Sequence, residues 1–271
     1  MSLFSRKMRL IKNAPRKWYV SLLDFALQLG VAVILALMIK ASVVEAYMVP
    51  TGSMEKTILI DDFLLANKFT YGMKVPIPFT DIRLPALAEP KPGDIVVFKN
   101  PLNLKENYVK RCIAVEGQRV KIVNKQVYVD GQLVPLSTTG QFIDSSNVFP
   151  YSPQFIDRNG WGPGIRDNMP ERVVPKGMLF MMGDNRDNSA DSRFWGFLDH
   201  RLVLGKAMMI HFSWQPYYSD SDNRMKDANA HFPQPPAISS TKPLSYVENV
   251  AFNIVHFPQR IRWDRIGRIL R

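Results

Sequence analysis

The longest apolar stretch of the chain is VSLLDFALQLGVAVILALMI, residues 20–39, which contains one charged residue, Asp24. At about 1.5 Å per residue, a helix of this length spans roughly 30 Å, the thickness of the hydrocarbon core of a bilayer. Trp18 and Tyr19 stand at its start, where amphipathic rings favour a membrane interface. The run is longer than the apolar region of a cleavable signal peptide. It therefore predicts a retained transmembrane helix over 20–39.

After this helix the pattern changes to short apolar segments of the kind that form β-strands. Turn signals such as Pro92-Gly93-Asp94 and Asp130-Gly131 separate them. The segments are 95–98, 108–115, 119–129 around the turn Asn124-Lys125, 178–182 and 202–214. We therefore predict a mainly β fold, in which one N-terminal transmembrane helix anchors an all-β body of sandwich or barrel type.

Changes in composition divide the chain further. Residues 136–172 are rich in Ser, Asn, Pro and Gly, which indicates an insertion with small elements of its own. The tail mixes apolar residues and arginines and contains Pro258, so a short interfacial helix and a solvated tail both stay open. The predicted regions are a basic leader at 1–19, the helix at 20–39, a β body formed by 41–135 and 173–214, an inserted smaller β subdomain at 136–172, a Pro/Ser-rich linker at 215–246 and a basic amphipathic tail at 247–271.

The net charge of +11 is concentrated at the two ends of the chain. Residues 1–17 carry +6 and residues 257–271 carry +4, so the 239 residues between them are almost neutral. Basic ends on a neutral body fit a lipid bilayer as partner better than a nucleic acid. The positive-inside rule places the N-terminus in the cytoplasm and the β body on the far side of the membrane. The single cysteine, Cys112, excludes a disulfide-stapled scaffold.

A candidate nucleophile, Ser53, follows a Pro-Thr-Gly turn in the stretch MVPTGSMEKTILIDD, residues 48–62. A serine hydroxyl attacks well only when a neighbouring base takes its proton. The four histidines of the chain have no ligand-like spacing, so we predict neither a metal site nor a cofactor. The histidines are expected to be ordinary surface or core residues, which leaves lysine as the candidate base.

Two lysines compete for this role. Lys56 completes an S-x-x-K pattern with Ser53, as in penicillin-binding proteins and β-lactamases, and residues 221–223 supply an S-D-N, but no K-T-G follows. Lys110 interrupts the strand YVKRCIAV, where alternation places Tyr108, Lys110 and Cys112 on one face. Burial beside apolar neighbours would lower the pKa of its amine. Taken alone, such a lysine is more often an edge-strand residue that prevents aggregation.

A third stretch, GDNRDNSADSRFWGF at residues 183–197, follows an apolar segment directly. Its acids and arginines can pair with one another, and Ser189 can form a hydrogen bond with an amine. A polar network that is fully paired holds a site rigidly.

Together, PTGSM at 50–54, YVKR at 108–111 and GDNRDNSADSR at 183–193 resemble three sequence boxes of the type I signal peptidases. These are membrane-anchored serine–lysine endopeptidases that remove signal peptides from exported preproteins. The resemblance extends from the apolar run to about Trp214. It implies a hydrolase of the bacterial plasma membrane, with its catalytic body on the outer, periplasmic side and preproteins as its substrates.

The resemblance also implies a role for individual residues. Ser53 would be the nucleophile, Lys110 the general base, and Ser189 the residue that orients the lysine amine. The backbone N–H of Ser53 and the hydroxyl of Thr51 would hold the oxyanion, at a position where family members often have serine. The structural charge network would consist of Asp184, Arg186, Asp191, Arg193 and Arg111.

The apolar segment before Ser53 can pair with an extended substrate as an added strand. Its substrate-facing residues are predicted to be Ala46, Tyr47, Met48 and Val49. The resemblance implies that small residues one and three positions before the cut fill adjacent shallow pockets. Two alternatives stay open: an acyl-serine enzyme of the penicillin-binding class that uses Ser53 and Lys56, and a membrane-anchored β-domain without catalysis. The oligomeric state is left open.

Overall fold

The computed structural model of the protein describes residues 18–42, 44–72, 85–215 and 244–271. Most of the predicted basic leader and the linker residues 216–243, with their S-D-N, lie outside the described residues.

The apolar run forms part of helix α1, Trp18–Ser42, whose 25 residues include the predicted range 20–39. Apolar side chains on the described part of α1 are exposed, including Leu22, Phe25 and Leu27 at 60–67%. Within the part of the chain that the structure describes, no helix has both the length and the apolar character needed to cross a membrane.

The larger of two antiparallel sheets carries seven strands in the order β1-β2-β11-β3-β4-β9-β10. This arrangement confirms the prediction of a mainly β fold. Strand β1 lies at one edge of the sheet, and β4, with 13 residues, lies between β3 and β9. The strands are β1 Val44–Met48, β2 Asp62–Asn67, β3 Ile95–Asn100, β4 Asn103–Val115, β9 Met178–Met182, β10 Leu198–Asp199 and β11 Val203–Ser213.

The smaller sheet has four strands in the order β7-β6-β5-β8. Its strands are β5 Arg119–Val123, β6 Gln126–Val129, β7 Gln132–Val134 and β8 Met169–Val173. The two-residue turns Asn124-Lys125 and Asp130-Gly131 have positive φ at all four positions, as the hairpin signals predicted. Within the predicted subdomain 136–172 lie two 3₁₀ helices, Pro153–Phe155 and Pro163–Ile165, and most of β8; its boundaries stay a prediction.

Strands β4 and β9 contribute apolar side chains to hydrophobic clusters on both faces of the large sheet, and one of these clusters includes the smaller sheet. Ile113 and Phe180 pack with Val120 and Ile122 of the smaller sheet. On the opposite face, Cys112 packs with apolar residues of β3 and β9. The second half of β4 is therefore buried, and Lys110 and Arg111 on it are removed from water.

A short helix α2, Ser192–Trp195, lies between β9 and β10. The tail forms helix α3, Ser245–Arg260, and then folds back onto the large sheet. Isolated bridges join Ile261 to Trp214 and Ile269 to Met209. The buried guanidinium of Arg265 pairs with Asp62 at the start of β2. Of the two alternatives left open by the sequence, the structure has a helix, and the residues after it are docked on the sheet.

Candidate active site

Ser53 lies where the chain leaves the edge strand β1 and turns back toward β2. The backbone of Val49 bonds to both Asp61 and Asp62, which closes this loop. Ser53 itself sits in a single 3₁₀ turn, Gly52–Met54, and is 8% exposed. The loop therefore presents the serine toward the sheet interior and not toward bulk solvent.

Lys110 reaches Ser53 from the middle of β4. Its Nζ lies 2.6 Å from Ser53 Oγ, a hydrogen bond between residues 57 positions apart in the sequence. Nζ also donates to the carbonyl of Val109 at 3.2 Å and lies 5.0 Å from the ring centroid of Tyr108. The structure thus brings together the two residues that the sequence analysis singled out as nucleophile and base.

The environment of Lys110 favours its neutral form. The residue is 3% exposed, and among the described residues it has no carboxylate within ion-pair distance. Burial lowers its pKa to about 8; the charge of Asp191 raises the pKa and that of Arg193 lowers it. The amine is therefore half neutral near pH 8, whereas an exposed lysine would be almost fully protonated.

Thr51 stands beside the nucleophile on the approach to the 3₁₀ turn. Its backbone is extended, and its Oγ1 lies 3.5 Å from Ser53 Oγ. The threonine hydroxyl and the candidate nucleophile are therefore neighbours on the same loop.

Ser189 and Gly183 meet behind Ser53. A methyl group added at Gly183 would lie 2.3 Å from Ser189 Oγ and 2.4 Å from the carbonyl oxygen of Ser53, so any side chain here would force the two apart. The Ser189 hydroxyl is buried and has no hydrogen-bond partner among the described residues. Its location beside the nucleophile is compatible with the predicted orienting role, which stays a prediction.

Two arginine–carboxylate pairs support the site. Arg111 donates to both oxygens of Asp184 at 2.8 and 2.7 Å, and Arg193 donates to both oxygens of Asp191 at 2.8 Å. Both acids are completely buried. Burial alone would raise their pKa values, but the paired guanidinium groups and hydrogen bonds outweigh it and hold each pKa below its usual range.

Arg186, the fifth predicted member of this network, behaves differently. It is 3% exposed, its Nε has no hydrogen-bond partner among the described residues, and no described carboxylate forms an ion pair with it. Its backbone carbonyl accepts a hydrogen bond from Arg193. Burial lowers the pKa of its guanidinium to about 10, the charge of Arg193 adds to this shift, and the charges of Asp184 and Asp191 oppose it.

Asn185 and Gly183 also position the site, although the sequence did not mark them as site residues. The Asn185 backbone N–H donates to the Ser53 carbonyl at 3.0 Å, and its side-chain amide donates to Gly52 and Glu55. Both residues belong to the polar stretch 183–193, which the sequence already marked as part of the site. What they contact depends on the tertiary fold, because Ser53 is about 130 positions away.

Lys56, the competing lysine, lies on the outside of the same loop. It is exposed and has a positive φ of 69°, so the S-x-x-K residues do not form one face of a regular helix. The structure therefore favours Lys110 as the partner of Ser53.

A narrow cleft leads to the dyad between β1 and β4. Its walls include Tyr47, Met48, Tyr108 and Val109, and its interior has a volume of about 30 Å³. Along β1, Ala46 and Met48 are exposed, whereas Tyr47 and Val49 are buried in the sheet. Among the described residues, no group of three or more His, Cys, Asp or Glu side chains could hold a metal ion.

Comparison with known proteins agrees with this geometry. The family described as "Signal peptidase, peptidase S26" matches residues 22–214. The chain belongs to this family. It is accordingly a serine endopeptidase that removes signal peptides from preproteins.

Similar proteins from individual bacteria are named signal peptidase I. The chain is 34% identical over 200 residues to signal peptidase I of Pseudomonas aeruginosa, an alignment that covers 66% of this chain and 69% of that protein. It is 31% identical over 225 residues to signal peptidase I of Aquifex aeolicus, which covers 69% and 82%. A crystal structure of a signal peptidase I from Enterococcus faecalis aligns with a TM-score of 0.31 and 27% identity, over 44% of this chain and 96% of that one.

Proposed function

We propose that this signal peptidase cleaves through an acyl-enzyme in which Ser53 is the nucleophile and Lys110 the only general base. The observation that carries this proposal is the 2.6 Å contact between Lys110 Nζ and Ser53 Oγ, made by an amine that is buried and lacks a carboxylate partner among the described residues. A hydroxyl beside a partly neutral amine is an activated nucleophile.

In the first half of the reaction, the Ser53 hydroxyl gives its proton to the neutral amine of Lys110 as Oγ attacks the scissile carbonyl. The C–N bond of the tetrahedral intermediate then breaks, and the protonated amine donates its proton to the leaving nitrogen. In the second half, Lys110 takes a proton from a water molecule as the water oxygen attacks the ester carbonyl. The bond between the acyl carbon and Ser53 Oγ then breaks, and the Lys110 ammonium returns the proton to Oγ.

The negative charge that develops on the carbonyl oxygen requires nearby donors. We assign this role to the Ser53 backbone N–H and the Thr51 hydroxyl, supported by the 3.5 Å separation of Thr51 Oγ1 and Ser53 Oγ. Threonine offers the same hydroxyl as the serine of other family members, with one added methyl group that restricts its rotamer.

In this proposal, Ser189 positions the amine of Lys110. Its buried hydroxyl lies near the Ser53 carbonyl, and in this proposal it accepts a hydrogen bond from the Lys110 ammonium. The pairs Arg111–Asp184 and Arg193–Asp191 hold the surrounding backbone and do not carry protons, because both carboxylates stay ionised.

The substrate binds as an extended strand in the cleft beside β1. Strand β1 is an edge strand, and edge strands accept additional strands through backbone hydrogen bonds. The cleft volume of about 30 Å³ leaves room only for small side chains next to Ser53. This limit supports a preference for small residues before the cleavage site.

We further propose that the segment 20–39 holds the enzyme in a bacterial plasma membrane, with the N-terminus cytoplasmic and the body on the periplasmic side. The exposed apolar side chains of α1 support this assignment, because they are costly to hydrate. Exposed apolar residues on α3, among them Val247, Ile254 and Val255, support an additional contact with the bilayer surface. Protease protection of the chain in oriented vesicles tests the topology.

The deciding experiment compares two lysine variants on one synthetic preprotein. We expect Lys110→Ala to lower the cleavage rate by roughly 10⁴-fold or more, since the amine in contact with Ser53 Oγ is lost. Lys56→Ala, the matched control on the same loop, should cleave at close to the wild-type rate. The reverse result would assign the reaction to Lys56 and to the penicillin-binding class.

A further inference from the structure

A second, larger pocket lies farther along β4, at Arg111–Ile113, and strands of the smaller sheet form part of its wall. Its volume is about 450 Å³, within the range of roughly 300–1,000 Å³ that is usual for small-molecule sites. Apolar side chains form most of its wall, including Pro92, Ile113, Val129 and Val134. Ser53 and Lys110 do not line it.

Two polar side chains on the wall of this pocket have unused hydrogen-bonding capacity. Arg186 is 3% exposed and its Nε has no partner among the described residues. The Oγ of Ser137, also buried, has none either. A buried polar group without a partner costs free energy, and a buried cation costs more. Such groups on the wall of a cavity indicate a ligand that would pair with them.

Arg111, the other arginine that lines the pocket, has the hydrogen-bond and ion-pair partners that Arg186 lacks. Arg111 uses Nε and Nη2 on Asp184, and its Nη1 donates to the carbonyl groups of Gly93 and Arg271. Its charge is matched and its donors are occupied. Arg186, by contrast, has no carboxylate within ion-pair distance among the described residues, although the charges of Asp184 and Asp191 raise its pKa, so a carboxylate ligand would supply the direct ion pair that it lacks.

We propose that this pocket binds a small monocarboxylate with an apolar body. The carboxylate lies against the guanidinium of Arg186 and accepts a hydrogen bond from the Ser137 hydroxyl. The apolar body lies against Ile113, Val129 and Val134. A carboxylate fits the planar fork of an arginine with two parallel hydrogen bonds, which a spherical anion cannot do.

This site is separate from the proposed catalytic dyad and does not depend on it. The backbone joins it to the dyad, because Arg186 follows Asn185, whose N–H donates to the Ser53 carbonyl. Binding can therefore be measured in the absence of catalysis, and the two proposals can fail independently.

Titration calorimetry on the full chain in detergent micelles tests the proposal, with 3-phenylpropanoate as the probe. We expect saturable binding of one molecule per chain with a Kd of roughly 1 mM or tighter. The uncharged analogue 3-phenylpropanamide should bind at least about tenfold more weakly, because it cannot pair with the guanidinium. Equal binding of acid and amide, or no saturable binding of the acid, would overturn the proposal.

Variants locate the site. Arg186→Gln should weaken binding by about tenfold or more, and Val134→Trp should abolish binding by filling the cavity from its other wall. Arg201→Gln, a control at an exposed surface ion pair, and Ser53→Ala should bind as the wild type does. If Arg186→Gln does not fold, Val134→Trp decides alone. Unchanged binding in Val134→Trp places the ligand elsewhere and refutes the assignment.

Discussion

Two buried lysines of this protein have opposite surroundings. Lys110, in the centre of the large sheet, is 3% exposed and contacts a hydroxyl, a carbonyl and an aromatic ring. Lys125, in the first turn of the small sheet, is 7% exposed and pairs with Asp187 at 2.9 Å. It also lies 3.8 Å from Asp167 and donates to the carbonyl of Asp144.

The difference shows that burial by itself does not define a catalytic lysine. A buried ammonium is stable when carboxylates surround it, and it then serves as a structural cross-link. Without a carboxylate, burial favours loss of the proton, and the amine becomes a base. Lys125 joins the turn of the small sheet to the segment that follows β9, whereas Lys110 is held ready for proton transfer.

The largest expected effect outside catalysis concerns the structural lysine. Lys125→Met should lower the free energy of unfolding by about 3–5 kcal/mol, because Asp187 would be left as a buried charge without its cation. Lys121→Met, at an exposed position of the same hairpin, is the control and should change stability little. Thermal unfolding followed by circular dichroism measures both. A Lys125→Met variant as stable as the wild type would remove the contrast between the two lysines.

The hydroxyl of Thr51, the proposed oxyanion donor beside Ser53, offers a second test. Thr51→Val keeps the shape of the side chain and removes the proposed oxyanion donor, so turnover should fall by about 10²–10³-fold with little change in KM. Thr51→Ser should retain most of the activity. Steady-state kinetics on a peptide substrate separate the two variants. Full activity of Thr51→Val would exclude this hydroxyl from the oxyanion site.

The pH dependence of cleavage sharpens the comparison further. Since the pKa of Lys110 is lowered to about 8, cleavage should increase with pH and level off above pH 8. At pH 6, where about one amine in a hundred is neutral, the rate should be about 100-fold below the plateau. Initial rates measured from pH 6 to 10 give the profile. A rate independent of pH below 8 would mean that another group takes the serine proton.

The smallest expected effect is a gain in stability. The pKa of Lys110 is about 8 in the folded chain and 10.5 without burial, so between these values the unfolded chain binds more protons and stability rises with pH. Lys110→Met should therefore be more stable than the wild type at pH 7, by ~1–3 kcal/mol, and the gain should shrink as pH approaches 10.5. Thermal unfolding of both proteins at pH 7 and near pH 10.5 measures this difference in stability. A less stable Lys110→Met at pH 7 would show that the amine is charged and paired.

The sequence alone determined the elements whose signals are local. The hairpins at Asn124-Lys125 and Asp130-Gly131 were predictable because only a few residue types accept positive φ in two-residue turns. The strand character of 95–98, 108–115 and 178–182 was predictable from apolar runs bounded by turns. Ser53 and Lys110 were recognisable because their motifs are contiguous in the chain. Helix α3 was only one of two open possibilities, since its spacing is irregular and it contains Pro258.

Only the tertiary structure decided which charges meet. The sequence marks Arg111 and Arg186 alike as members of a charge network, yet one is saturated by Asp184 and the other has no acidic partner among the described residues. Nor does it show that Lys125 is paired with acids, because its partner Asp187 lies 62 positions away in the chain. The reason is physical: a pKa and a hydrogen bond depend on distances of a few ångströms between side chains. Packing of the two sheets sets those distances across sequence separations of 57 to 130 residues.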